Sequence, residues 1–279
     1  MSSLKPCNHE EADTRVFLHV KDMVNQNHTK LVTRTVDTDV LIGSLPVYEE
    51  LKDKMEELWL DFGTGKNRKI IPMHKVAQLV GQLKACGLPF FHSFTGCDQV
   101  EFLSHVTKFL AWKIWTYFEE ASSVFKKLSQ QPTLRDVEES MPVIERFTVL
   151  LYHRTSNCMS TNECRRELFC LGRSIDNIPP TRAALWKHTL RASYVAGHVW
   201  AQSLEKMQNL PPPEDWGWKY EAGKLVPDWT DLPEATLAMR DLIKCACKPE
   251  KGCRGRCKCL QSQLLCTELC LCKGHCERS

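Results

Sequence analysis

Hydrophobic positions recur with two different periods over the first hundred residues. Apolar residues at positions 16, 18, 20, 23 and 24 predict a partly buried helix with acids in its first turn. The β-prone run from 31 to 36 predicts a strand that stops at Asp37 and Asp39, followed by a helix from about residue 41 to 57. The segments ELWLDFG and RKIIPMH predict two short strands joined by a turn, and HKVAQLVGQLK has a helical period. We therefore expect an α/β lobe over residues 1–100.

The pattern after residue 100 is first helical and then rich in proline. Helical periodicity runs from about residue 102 to 207, which predicts an all-α lobe over residues 101–209. Proline and tryptophan predict an extended linker over 210–240, in which Trp216, Trp218 and Trp229 could fasten the chain to the helical lobe. A short helix, PEATLAMRDLIK, leads into a cysteine-rich module over 241–279.

Five acidic residues lie at the expected ends of separate elements in the first lobe. Open α/β sheets place their ligands at the C-terminal ends of buried strands. Several carboxylates delivered from separate elements can hold two divalent ions, Mg²⁺ or Mn²⁺, that activate water for in-line attack on phosphate. Gly63 and Gly65 beside Lys66 predict a turn, because the GxxxxGK frame of a phosphate-binding loop is absent. The candidate catalytic carboxylates are Glu11, Asp13, Asp37, Asp39 and Asp98.

These acidic motifs resemble those of the XPG/flap endonuclease branch of the PIN-like nucleases. EAD resembles the acidic EAE motif, VDTDVL the strand-end DxD, TGCD the GSD, and KIIPMHKVAQLVGQL the strand, turn and helix before the last aspartate. Order and spacing agree over about residues 10–100. The family carries two further metal-binding aspartates on strands before the EAE helix, and a helix-hairpin-helix after GSD, neither of which is visible here. The resemblance thus implies an incomplete parallel PIN-like sheet and a nuclease-derived lobe that is inactive as this chain.

Nine cysteines near the C-terminus have the most regular spacing in the sequence. They form three CxC pairs and two CxxxC steps, and both thiolates of a CxC pair can face one metal. Three tetrahedral zinc ions need twelve ligand positions, which nine thiolates fill if three of them bridge two metals each. An odd cysteine count and a long cysteine-poor segment upstream make a disulfide framework the weaker alternative. The predicted zinc ligands are Cys245, Cys247, Cys253, Cys257, Cys259, Cys266, Cys270, Cys272 and Cys276, with His275 more plausible as a solvated neighbour than as a ligand.

This spacing resembles, almost interval for interval, the CXC module of the tesmin family. Members of that family have zinc-clustered segments that bind DNA or associate with chromatin. Two intervals here are each one residue longer than the usual form, Arg256 stands where the family commonly has tyrosine, and one copy is present where two are usual. The resemblance implies structural zinc, DNA as a partner and chromatin proteins as further partners.

The distribution of charge indicates which residues of the module would contact DNA. The chain carries a net +3, and residues 241–279 contain eight Lys or Arg against four acids. Nine thiolates with three Zn²⁺ would leave the loaded module near +1, so attraction to nucleic acid must come from a local face. Its densest basic cluster is Arg254, Arg256 and Lys258, which we expect to contact the DNA backbone or minor groove.

Two further expectations concern location and function class. No apolar run approaches the roughly 20 residues that span a bilayer, and the N-terminus lacks the apolar core of a signal peptide, so a soluble, intracellular and nuclear protein is expected. The leading hypothesis is a DNA- or chromatin-associated protein similar to those of mobile genetic elements. The alternatives are a divalent-metal-dependent, structure-specific nuclease and a zinc-stabilised protein-interaction scaffold.

Overall fold

The computed structural model describes residues 4–230, 242–248, 253, 254 and 256–274. Its first part alternates helices with short strands, as the hydrophobic pattern predicts. Helix α1 buries Phe17, Val20 and Val24, the positions one helical face provides. The elements of this part are α1 (Ala12–Asn25), β1 (Lys30–Thr35), α2 (Thr38–Leu51), β2 (Glu57–Phe62), β3 (Lys69–Pro72) and α3 (Met73–Val80).

The three strands form one small mixed sheet in the order β1-β2-β3. Strands β1 and β2 are parallel, with Lys30 opposite Glu57, and helix α2 is the crossover between them. Strand β3 is antiparallel to β2, with Phe62 opposite Lys69, because the turn between them is too short for a crossover. The pairing confirms the turn predicted at Gly63 and Gly65 as that of a hairpin, and the parallel sheet that the resemblance implied is wrong for the third strand. Within the described residues, β1 is an edge strand on which Val32 is 69% exposed.

Helices dominate the chain after β3. Only the start of helix α4 was predicted, because the helical period of the sequence fades after Lys84. The helix continues through Pro89 to Phe94, and every residue from Ala85 onward is buried. The further helices are α4 (Gln82–Phe94), α5 (Lys108–Tyr117), α6 (Glu120–Leu128), α7 (Leu134–Tyr152), α8 (Thr161–Cys170) and α9 (Arg182–Tyr194).

One hydrophobic core runs through both expected lobes. Phe90 of α4 lies 5.3 Å from Phe125 of α6, and Phe94 lies 6.3 Å from Phe147 of α7, measured between ring centroids. Large aromatic side chains packed in this way supply much of the burial that stabilises a core. The helix α4 of the first lobe is therefore inserted among helices of the second. The proposed boundary at residue 100 stays a prediction.

The irregular segment after α9 packs closely against the end of α6. The helix passes into a π-helical turn, Val195–Val199, and then a 3₁₀ turn, Trp200–Gln202. A Cβ atom on Gly197 would lie 2.5 Å from the carbonyl oxygen of Leu128 and 2.5 Å from Cδ of Pro132. Only glycine permits this approach, so Gly197 fixes how closely α9 and its continuation pack on the end of α6.

Part of the expected linker is folded onto the helices. Residues 218–221 and 224–227 form an antiparallel hairpin, β4 (Trp218–Glu221) and β5 (Lys224–Pro227). Trp216 and Trp218 are buried in the main core, whereas Trp229 is 59% exposed and stacks against the Arg191 guanidinium, 5.1 Å from its ring centroid. Most of the expected helix at 233–244 lies outside the described residues. Among the described helices, none has the length and apolarity needed to cross a bilayer.

A buried ion network ties α9 to the loop that carries Asp98. The carboxylate of Glu101 accepts hydrogen bonds from Arg191, which is 1% exposed, and from Nδ1 of His188 at 3.2 Å. His188 also contacts the Phe94 carbonyl oxygen through Nε2 at 2.8 Å. Burial alone would raise the pKa of Glu101, but the two hydrogen bonds and the nearby positive charges lower it to about 2.

Candidate metal sites

The C-terminal cysteines form a small core of their own. Six of the predicted zinc ligands are buried together, and Cys247 and Cys266 pack against them partly exposed. Cys276 lies outside the described residues. A short helix, α10 (Lys258–Gln261), places Cys257 at its N-cap and Cys259 inside it. The CxC spacing thus brings the thiols of separate turns inward, as metal ligation requires.

The spacing of the sulfur atoms fits tetrahedral zinc. Zinc–thiolate bonds of about 2.3 Å place the sulfurs of one tetrahedron about 3.8 Å apart. Cys245 Sγ lies 3.8 Å from Cys253 Sγ, 3.7 Å from Cys266 Sγ and 3.8 Å from Cys272 Sγ, and Cys253 Sγ lies 3.4 Å from Cys266 Sγ. These separations are far longer than the roughly 2.05 Å of a disulfide bond. The cluster therefore has the geometry of a thiolate metal site.

Two overlapping groups of four sulfurs share two members. Cys245 and Cys266 join Cys253 and Cys257 in one group, and the same two join Cys259 and Cys270 in the other. In each group the sulfurs all lie within 4.8 Å of one another. Sulfurs common to two groups are the ones placed to bridge two metal ions. The buried cysteines can thus bind zinc, while the number of ions stays a prediction.

Hydrogen bonds inside the cluster already favour some thiolates over others. Burial opposes ionisation of Cys257, but hydrogen bonds from the Leu260 amide and from neighbouring thiols lower its pKa to about 6. Burial likewise opposes ionisation of Cys270, whose Sγ accepts from the Cys245 amide at 3.4 Å, and its pKa falls to about 7. Burial raises the pKa of Cys259 to about 11. The cluster holds protons that a bound metal would displace.

The structure brings the predicted carboxylates together at the start of α1 and α2. Asp13 lies in the first turn of α1, Asp37 is the N-cap of α2, and Asp39 lies in its first turn. One oxygen from each of these three lies within 4.8 Å of the others. Asp37 Oδ1 accepts from the Asp39 amide at 2.8 Å, which fixes the turn between β1 and α2.

Glu11 and Asp98 belong to the same electrostatic cluster. The pKa of Asp13 is raised to about 6, first by burial and then by the charges of Asp37, Glu11, Asp39 and Asp98. The charges of Glu11 and Asp98 thus act on Asp13, while Asp13, Asp37 and Asp39 are the three whose oxygens lie close enough to share an ion. Such mutual repulsion is what a bound cation would relieve.

A histidine that the sequence did not single out supports Asp39. His92 of α4 contacts Asp39 Oδ1 through Nε2 at 2.9 Å, and its Nδ1 lies 3.1 Å from Lys108 Nζ. Lys108 is exposed as a residue, but its ammonium turns inward and also donates to the His92 carbonyl oxygen at 2.7 Å. Burial of that ammonium lowers the pKa of Lys108 to about 8. A lysine donor on Nδ1 leaves Nε2 as the nitrogen that donates to Asp39.

The basic residues predicted to contact DNA are all on the surface. Arg254, Arg256 and Lys258 are exposed, and they surround the N-terminus of α10. Lys244 attaches the module to α8, because its Nζ donates to the Phe169 carbonyl oxygen at 2.9 Å and lies 4.8 Å from the Phe169 ring centroid.

No protein-family model, curated protein or solved structure matches this chain.

Proposed function

We propose that this protein is a zinc-binding, DNA- or chromatin-associated protein of the nucleus, with a nuclease-derived lobe that does not cut. The observation that carries the proposal is the pair of overlapping four-sulfur groups, beside which Arg254, Arg256 and Lys258 are exposed. The thiolates have a structural role, since every one of the described eight lies in or against the buried cluster. Three bound zinc ions would use all nine thiolates as ligands, with three of the thiolates bridging two ions each.

Zinc would supply most of the folding energy of the module. The described part is a short chain whose only core is its thiols, and such segments fold only when metal binds. The folded module then holds the three basic side chains in fixed positions. Three phosphate contacts would make the logarithm of affinity fall with the logarithm of salt with a slope of about −3.

The first experiment measures zinc and DNA binding on the same purified chain. We expect about three zinc ions per chain by inductively coupled plasma spectrometry, and fewer than about two would contradict the cluster. Fluorescence anisotropy with a labelled duplex should show weak, salt-sensitive binding that Arg254→Glu reduces about tenfold. Lys75→Glu reverses another exposed positive charge, on α3, and should leave affinity within about twofold. Equal binding by both variants would reject the assigned DNA contact.

A metal-dependent nuclease is the second candidate, favoured by the convergence of Asp13, Asp37 and Asp39. Mg²⁺ or Mn²⁺ held there by these carboxylates would polarise a phosphate and activate water. Incubation of flap and single-stranded DNA with each metal, using wild type and Asp37→Ala, separates the two candidates. We expect no metal-dependent cleavage. Cleavage by wild type that Asp37→Ala abolishes would establish the nuclease instead.

A further inference from the structure

A cleft of about 910 Å³ separates the cysteine-rich module from helix α8. Its walls include Phe169 and Ile175 from the helical part and Leu242 and Leu271 from the module. Ile175 and Leu271 are 49% and 58% exposed, whereas Leu242 is buried against the side chains of α8. The two parts of the chain therefore share an apolar surface that is only partly closed.

The lining of this cleft carries an excess of positive charge. Arg256, Lys258 and Lys273 line it together with one acid, Glu268. Among the residues that the structure describes, none of these three cations forms an ion pair. Lys244 also lines the cleft, but its hydrogen bond to the Phe169 carbonyl oxygen holds the two walls together. The lining thus combines apolar side chains with three cations that no described carboxylate pairs with.

Size and chemistry favour a peptide over a nucleic acid inside this cleft. A volume of about 910 Å³ lies within the range of pockets that enclose a small ligand, and it can hold a few side chains of a bound peptide. It is far too small for a nucleic-acid duplex. Phosphates could use the cations, but they would leave Phe169, Ile175 and Leu271 uncovered. A segment that alternates carboxylates with aliphatic side chains satisfies both features at once.

We propose that the cleft between α8 and the cysteine-rich module binds an acidic, leucine-containing peptide segment of a partner protein. Aliphatic side chains of the peptide pack on Ile175 and Leu271, and its carboxylates pair with Arg256, Lys258 and Lys273. The proposal rests on the zinc-folded module of the proposed function. Arg256 and Lys258 line the cleft and also belong to the proposed DNA contact, so the two functions are told apart at Arg254, which does not line the cleft, and at Lys273, which is not part of the DNA contact.

The test uses the full-length, zinc-loaded chain and a fluorescein-labelled peptide of glutamates with interspersed leucines. The comparison peptide has the same charge, with serine in place of leucine. We expect anisotropy to show binding of the leucine peptide at least tenfold tighter than the serine peptide. Leu271→Asp and Ile175→Asp each replace an exposed side chain, so the fold survives, and each should weaken the leucine peptide about tenfold.

Two variants separate the cleft from the DNA contact. Lys273→Glu should weaken the leucine peptide at least tenfold while DNA binding changes little, and Arg254→Glu should do the reverse. Equal affinity for the two peptides would overturn the proposal, as would no detectable binding of either. Loss of peptide binding in Arg254→Glu, together with competition by a DNA duplex, would identify the cleft as part of a nucleic-acid surface and also overturn it. DNA binding without peptide binding would leave the proposed function standing.

Discussion

The raised pKa of Asp13 implies that its charged side chain, through burial and then through repulsion by the neighbouring carboxylates, destabilises the folded chain at neutral pH. Replacing Asp13 with asparagine keeps the shape of the side chain and removes one of the repelling charges. A shift from 3.8 to about 6 corresponds to an upper limit of about 3 kcal/mol in the free energy of unfolding. The side chain is only partly buried, so solvent screening reduces this by about half.

A second effect opposes the gain. Asp13 lies in the first turn of α1, where a negative charge stabilises the helix dipole by about 0.5 kcal/mol. We therefore expect Asp13→Asn to raise the free energy of unfolding by about 1 kcal/mol at about pH 7.5. The folded-state pKa is raised, so the wild-type chain loses stability as pH rises through the interval from 3.8 to about 6. The advantage of the variant should accordingly disappear near pH 4.

Urea unfolding at several pH values measures both the size and the pH dependence of this effect. Asp53→Asn, at an exposed carboxylate just after α2, is the matched control and should stay within about 0.5 kcal/mol of wild type. Millimolar Mn²⁺ should stabilise wild type more than Asp13→Asn, if the cluster binds a cation. Lower stability of Asp13→Asn than of wild type at about pH 7.5 would refute the destabilising role of the Asp13 charge. A stability advantage of the variant as large at about pH 4 as at about pH 7.5 would refute it as well.

Three other outcomes test the fold around the sites. Glu101→Gln leaves the buried guanidinium of Arg191 without its charge partner and should lower the free energy of unfolding by about 3 kcal/mol. Its control, Glu139→Gln, removes a charge from an exposed ion pair and should lower the free energy of unfolding by less than about 1 kcal/mol. Similar losses in the two variants would contradict the buried network. The Glu101 contribution should fade as pH falls from 4.5 towards 2, because its folded-state pKa is lowered. Gly197→Ala should cost about 2 kcal/mol by thermal denaturation, because its Cβ would meet the carbonyl oxygen of Leu128, and an unchanged melting temperature would refute that close approach. Zinc chelation should remove hydrogen-exchange protection from residues 242–274 while the main melting transition stays, and loss of both would show that the module supports the whole chain.

Local patterns in the sequence predicted much of the first part of the chain. The 3.6-residue period located α1, and the β-prone runs located β1 and β2, because these elements bury one face each. The acidic residues next to the predicted ends of α1 and β1 also converge as expected. Cysteine spacing located the thiol cluster, since a CxC pair constrains two sulfurs to one neighbourhood whatever surrounds them.

Features that depend on distant contacts were missed. The period gave no sign that α4 would continue past Pro89, because a helix buried on all sides has no polar face to mark it. His92 was not predicted as a site residue either, because it lies in this buried helix. Only the packing of α4 beside α2 brings its imidazole into contact with Asp39. The hairpin at 218–227 was expected to be extended linker, although the packing of Trp216 and Trp218 on the helices was predicted.

The sequence by itself therefore determined which residue types could bind metal and roughly where each element begins. Those properties are local, because they follow from spacing along the chain and from the period of buried positions. Only the tertiary structure decided which sulfurs are shared between two groups, and that basic residues next to the thiols line a cleft against α8. It also decided that burial and the charges of four other carboxylates raise the pKa of Asp13. Each of these depends on side chains far apart in sequence, whose distances no local pattern encodes.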